Sequence, residues 1–205
     1  NKNLVKGVLL NFFFEPKSLE GITSSKGDFY LVSGQISDAK GWHLIPKLLK
    51  LNAENNLKFK FIIYNKLVAE NFINKNSLQS YIESEKLEVI SGLESHKDVL
   101  SFVANSLAVI IPSNYPSTGE FALLEAMGLE KPVVAFNIGA HRDFLVDKKN
   151  SLLSPALDLN KMTKDLEVLY QDSILWEKLS KNARTTFEEI TDFKKDFSLI
   201  KSLNL

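Results

Sequence analysis

Cysteine is missing altogether from this sequence. Its absence excludes disulfides, thiolate nucleophiles and zinc–thiolate sites together, and it fits a reducing compartment, hence a cytoplasmic protein. No apolar run approaches the roughly 20 residues needed to span a bilayer. Neither charge sign is in excess: 25 basic and 25 acidic residues give no global pull toward nucleic acid or an anionic membrane. Histidine is scarce, with His43, His96 and His141 at no metal-ligand spacing, so no metal site is expected. The chain starts at Asn1 without a charged-then-apolar leader, which reads as a piece of something longer.

What is present is an alternation. The chain is 44% hydrophobic across 205 residues, enough for a substantial core. Strand candidates are "DFYLVSG" (28–34), "KFKFIIY" (58–64), "LEVISG" (87–92), "LAVIIPS" (107–113) and "PVVAF" (132–136), with a short sixth in "SLLSP". They are short, rich in Val, Ile, Phe and Tyr, and uninterrupted, like strands covered on both faces. Helix-length stretches at 44–56, 68–84, 96–106 and 118–129 lie between them. The alternation predicts right-handed crossovers and a doubly wound, mostly parallel α/β sheet. Further helices are expected at 158–171, 173–189 and 192–203, the last carrying Phe193, Phe197 and Ile200. Residues 1–27 read as a linker, 28–190 as the domain, and 191–205 as a terminal helix.

Ligands of open parallel sheets sit beyond the carboxyl ends of the strands, so the loops there hold the candidates. After the first strand comes "SGQISDAKGWHL", where Gly34 permits close backbone approach. Lys40 there either meets a phosphate as a point charge or is a solvated turn lysine. The dinucleotide fingerprint is absent, because its second and third glycines are missing. After the fourth strand, Ser117–Thr118–Gly119–Glu120 has the spacing of a capping box, which by itself accounts for Glu120. The same helix start, with Gly119 in its first turn, also suits a phosphate. Glu125 lies further along, on the side of Phe121 and Gly128; it is either a charge on the outer stripe or an acceptor for vicinal hydroxyls such as those of ribose. After the fifth strand, "NIGAHRD" holds His141, Arg142 and Asp143, read first as a helix start and only second as catalytic groups.

"GQISDAKG", "IIPS" and "LLEAMGLEKPVVA" followed by a glycine turn resemble the carboxyl-terminal, donor-binding domain of retaining GT-B glycosyltransferases of the "group 1" family. The resemblance covers residues 28 to about 190. It implies a Rossmann-like fold, a nucleotide diphosphate sugar as substrate with no separate cofactor, and a partner acceptor-binding domain on the amino-terminal side. Residue by residue, it places Gly34 and Lys40 at the diphosphate, with Gln35 where the family has arginine. Glu125 falls on the family's ribose-binding glutamate. Ser117 stands at the first motif glutamate, with Thr118, Gly119, Glu120 and Phe121 completing the donor-binding stretch, and no catalytic residue is assigned. The glycine turn of the family appears as Ile138 to Arg142, with Asp143 the nearest carboxylate. Base contacts are expected from the backbone around Tyr64–Lys66 and Leu93–Ser95.

The resemblance implies sugar transfer to a glycan or lipid-linked acceptor, in bacterial surface-polysaccharide or lipopolysaccharide synthesis. It allows peripheral association of the full-length enzyme with the inner face of the membrane. This chain alone is expected to transfer nothing, because the family's active site lies between two domains. Gln35 and Ser117 keep a second reading open, a non-catalytic GT-B module with an assembly or regulatory role. Another sugar-nucleotide enzyme of the same architecture, such as an epimerase, is a third.

Overall fold

The computed structural model describes residues 16–116, 120–139 and 141–191. Within them run β1 (Phe29–Ser33), β2 (Lys58–Ile62), β3 (Leu87–Ile90), β4 (Ala108–Ile111), β5 (Val133–Phe136) and β6 (Ser151–Ser154). All pair in parallel, in the order β3-β2-β1-β4-β5-β6. The helices are α1 (Ile45–Leu51), α2 (Lys66–Lys75), α3 (Gln79–Glu83), α4 (His96–Ala104), α5 (Phe121–Gly128), α6 (His141–Phe144), α7 (Leu159–Gln171) and α8 (Ser173–Ile190), with 3-10 turns at Pro16–Leu19 and Trp42–Leu44. The expected doubly wound α/β fold is therefore present. No helix of the described residues is long and apolar enough to cross a membrane.

Alternation along each strand divides the core into two layers. Tyr30 and Val32 face one side with Trp42, Leu48 of α1, Phe72 of α2 and Leu166 of α7. Phe29 and Leu31 face the other with Val99 of α4, Leu124 and Met127 of α5, and Ala183 of α8. Trp42 meets Phe61 and Phe72 edge-on, at ring separations of 5.9 and 5.4 Å. Tyr30 reaches the far side of its layer and donates its hydroxyl to the Leu166 carbonyl at 2.5 Å. Central strands covered on both faces have no solvent side, which is why β4 and β5 are buried at every position.

Several helix boundaries differ from the expectation, each for a local reason. The stretch 68–84 is two helices, because Ser77 sits at φ 52° and a left-handed residue ends α-helical hydrogen bonding. The helix expected over 44–56 stops at Leu51, where buried Asn52 turns its amide onto the Leu48 carbonyl and Thr163 of α7. A complete capping box occurs at Ser95 and Asp98, opening α4. Glu120 is not the third helical residue that a cap at Ser117 requires: α5 begins at Phe121, and Glu120 is itself the N-cap residue, with no side-chain capping bond. Residues 1–15, 117–119 and the helix expected over 192–203 lie outside the described residues.

Residues 16–28 run against the domain. Leu19 is buried beside Gly128, where an added Cβ would stand 2.3 Å from a Leu19 methyl, and Ser24 donates to the Leu129 carbonyl at 2.6 Å. Buried Lys131 donates to the Ser25 carbonyl and lies under Trp176, 5.6 Å from the ring centre. Burial pulls its ammonium down to about 8, against the supporting charge of Glu130.

Candidate functional site

In the observed strand order, the chain leaves β1 toward β2 and leaves β4 toward β5 on the opposite side. The crevice that opens between their carboxyl ends is where such sheets bind ligands. A cleft of about 470 Å³ lies there, within the range of small-molecule sites. Gly34, Gln35, Lys40, Glu120, Phe121 and Glu125 line it, so the sequence candidates from two distant loops converge on one place. Ser18, Ser33, Tyr64, His96 and Ala122 complete the lining. Ser117, Thr118 and Gly119 lie outside the described residues.

Gly34 follows β1 at φ 129°, a conformation that side chains rarely adopt, and nothing lies within 4 Å of where a Cβ would be. Glycine there is set by the backbone, and it leaves the cleft floor open. Lys40 ends the same loop. Its ammonium is 3.1 Å from Glu120 Oε2, and its side chain remains 42% exposed, so it is neither a solvated turn lysine nor buried.

Glu120 is corrected in role. The carboxylate assigned to a helix cap is 8% exposed and turned into the site. Lys40 sits on Oε2, His141 Nε2 is 3.5 Å from Oε1, and Ser113 bonds it as well. Burial alone would raise this carboxyl, but bonds from His141 and Ser113 and the charge of Lys40 outweigh it and hold it at about 2. His141, buried on the first turn of α6, is held from its other side by the Phe136 carbonyl, 2.8 Å from Nδ1.

This arrangement has a measurable consequence. The folded value of Glu120 lies below its ordinary 4.5, so its contribution to stability is complete above 4.5 and disappears as pH falls toward 2. Glu120→Gln is expected to flatten the acid limb of stability between pH 5 and 2 by on the order of 3 kcal/mol. Urea midpoints of parent and variant across that range check it; parallel curves would show that Glu120 is not held ionised by its neighbours.

Glu125 is only 7% exposed, which removes it from the outer stripe of α5. Burial raises its carboxyl above the ordinary value, opposed by His96, whose Nε2 is 2.8 Å from Oε1. Tyr64 stands close enough for burial and the Glu125 charge to raise its phenol. The sequence marked His96 only as a histidine outside any metal-ligand spacing and assigned it no place in the site. The signal available was the Ser95-x-x-Asp98 capping pattern after β3, which fixes His96 as the first helical residue at the carboxyl edge of the sheet.

A parallel, doubly wound sheet with a lysine, a glycine loop and buried carboxylates at its switch point defines a Rossmann-like domain of the GT-B kind. The chain belongs to the family "Glycosyl transferases group 1", which it matches over residues 17–186. An uncharacterized glycosyltransferase of Methanocaldococcus jannaschii is 28% identical over 193 residues, covering 83% of this chain and 51% of the relative. Among solved structures, the carboxyl-terminal domain of a group 1 glycosyl transferase from Francisella tularensis superimposes with a TM-score of 0.68 at 17% identity, covering 85% of this chain and 90% of that domain. Anabaena HepE, solved in complex with UDP and glucose, gives a TM-score of 0.70 at 15% identity, covering 86% of this chain and 48% of that protein. This chain thus spans about half the length of the archaeal relative.

Proposed function

We propose that this chain is the donor-binding half of a glycosyltransferase that uses a nucleoside diphosphate sugar. The observation that carries the reading is the meeting, in one cleft, of the Gly34–Lys40 loop and buried Glu125. Lys40 meets the diphosphate, the open floor at Gly34 admits it, and Glu125 accepts hydrogen bonds from the ribose hydroxyls. Gln35 contributes a neutral donor at the diphosphate, and Tyr64 borders the base. The complex of Anabaena HepE with UDP and glucose supports a nucleotide of this kind. The chemistry assigned to these residues is positioning of the donor and electrostatic support of the leaving diphosphate, with no nucleophile from this chain and with retention at the anomeric carbon. No cofactor beyond the donor is proposed. The acceptor, a glycan or lipid-linked sugar of surface polysaccharide synthesis, falls to the remainder of a longer protein, which can sit peripherally on a membrane.

One observation favours a second reading. Glu120 already neutralises Lys40, and Gln35 stands where the family has a cation, so a regulatory module that binds no donor is the alternative. Calorimetric titration with UDP, GDP and ADP separates the two. The donor-binding reading expects one nucleotide to bind below millimolar concentration, and Glu125→Gln to weaken it about tenfold with little change in melting temperature. Failure of all three nucleotides to bind at millimolar concentration gives the site to the module.

A further inference from the structure

We infer that His96 is a positioning residue for this site: its imidazole holds one oxygen of Glu125 so that the other is presented to the hydroxyls of a ribonucleotide. The inference rests on the donor-binding reading and extends it to a residue on a different element. Glu125 is a three-torsion side chain, and fixing one in a single geometry carries an entropic cost. A group that has already ordered the carboxylate removes that cost from ligand binding. His96 meets the requirement, with Nε2 2.8 Å from Glu125 Oε1.

The bond is supported from both ends. The His96 backbone is fixed by the capping box, in which the Ser95 hydroxyl accepts from the Asp98 N–H while the Asp98 carboxylate accepts from the Ser95 N–H at 3.0 Å. Glu125 is fixed by α5, whose Leu124 and Met127 share one core layer with Val99 and Leu100 of α4. The two side chains are 29 positions apart in sequence, so tertiary packing alone brings them together. The burial is also asymmetric. The His96 side chain is 53% exposed and that of Glu125 only 9%. An exposed histidine gains little by reaching inward to a carboxylate, whereas a buried carboxylate without a donor is costly. The pairing therefore serves Glu125. A fixed Oε1 leaves Oε2 to accept from a ribose hydroxyl, and the benefit belongs only to ligands that carry that hydroxyl.

The test uses the 205-residue chain, the tightest binder among UDP, GDP and ADP, and the 2′,3′-dideoxy form of that nucleotide. His96→Ala is expected to weaken the ribonucleotide about tenfold and to leave the dideoxy form within about twofold of the parent. His96→Gln, whose amide N–H stands near the place of imidazole Nε2, is expected to recover most of the loss. A general loosening of the helix end would weaken both nucleotides alike and overturns the inference, as does unchanged ribonucleotide affinity or no recovery with glutamine. Glu125→Gln tells the two levels apart. If it abolishes the preference for ribose while His96→Ala does not, the inference on His96 fails and the ribose reading stands. If neither variant changes the preference, or no nucleotide binds, both fall.

Discussion

Lys40→Ala is expected to weaken a nucleoside diphosphate ten- to hundred-fold and to leave the corresponding nucleoside unaffected. A hydrogen bond to a charged group contributes roughly 1.5–3 kcal/mol, which sets that range. The nucleoside has no phosphate for the ammonium to meet, so it is the internal control. Glu120 adds a second, opposite arm. Lys40 lies 3.1 Å from Glu120 Oε2, and an arriving diphosphate must share that ammonium with a carboxylate of its own sign. Like charges about 4 Å apart near a protein surface repel by on the order of 4 kcal/mol before rearrangement and screening reduce it. Glu120→Gln removes the competing charge while keeping an acceptor, so it is expected to tighten the diphosphate several-fold as Lys40→Ala loosens it. Salt sharpens the comparison, because both effects shrink as ionic strength rises. Equal weakening of nucleoside and diphosphate by Lys40→Ala would return Lys40 to a purely structural pairing with Glu120. Weaker diphosphate binding by Glu120→Gln would instead make the carboxylate a support of the site rather than its competitor.

The fold was legible because a sheet buried on both faces demands uninterrupted apolar strands, and "LAVIIPS" and "PVVAF" can be little else. Site geometry was legible only where one loop carries it. Gly34 and Lys40 follow the first strand directly, and their place at its carboxyl end needs no tertiary knowledge. Glu120 was misread because Ser-x-x-Glu is a local rule, while the carboxylate is claimed by Lys40 and His141, which lie far from it in sequence. A lysine ammonium and an imidazole in a buried place outweigh one backbone N–H at a helix end. Glu125 could not be settled by periodicity, since α5 is buried at every position from Leu123 to Gly128 and has no solvent stripe there to distinguish it. His96 carried no periodic signal, and its partner became visible only when α4 packed on α5.

Gly41→Ala is expected to be the most damaging single methyl added to this site, costing about 2–5 kcal/mol. Two independent penalties combine. Gly41 opens the Trp42–Leu44 turn at φ 73°, and a left-handed conformation costs an alanine roughly 1–2 kcal/mol. An added Cβ would also stand 1.9 Å from the carbonyl oxygen of Pro112 and 2.6 Å from its carbon. Those are backbone atoms just beyond β4, so no side chain can swing away and the two loops must part. Gly21 separates the penalties, because it has φ 75° with nothing within 4 Å of its Cβ position. Gly21→Ala carries the conformational cost alone, and its urea midpoint should fall far less. The site feels the difference too. Asn114 donates its N–H to the Ala39 carbonyl at 3.1 Å, tying the loop after β4 to the residue before Lys40. Moving these loops apart displaces Lys40 from Glu120, so Gly41→Ala should lose diphosphate affinity even at temperatures where it remains folded, while Gly21→Ala should keep it. If both variants lose the same stability, the close approach to Pro112 is relieved without cost, and the glycine after Lys40 serves only the turn.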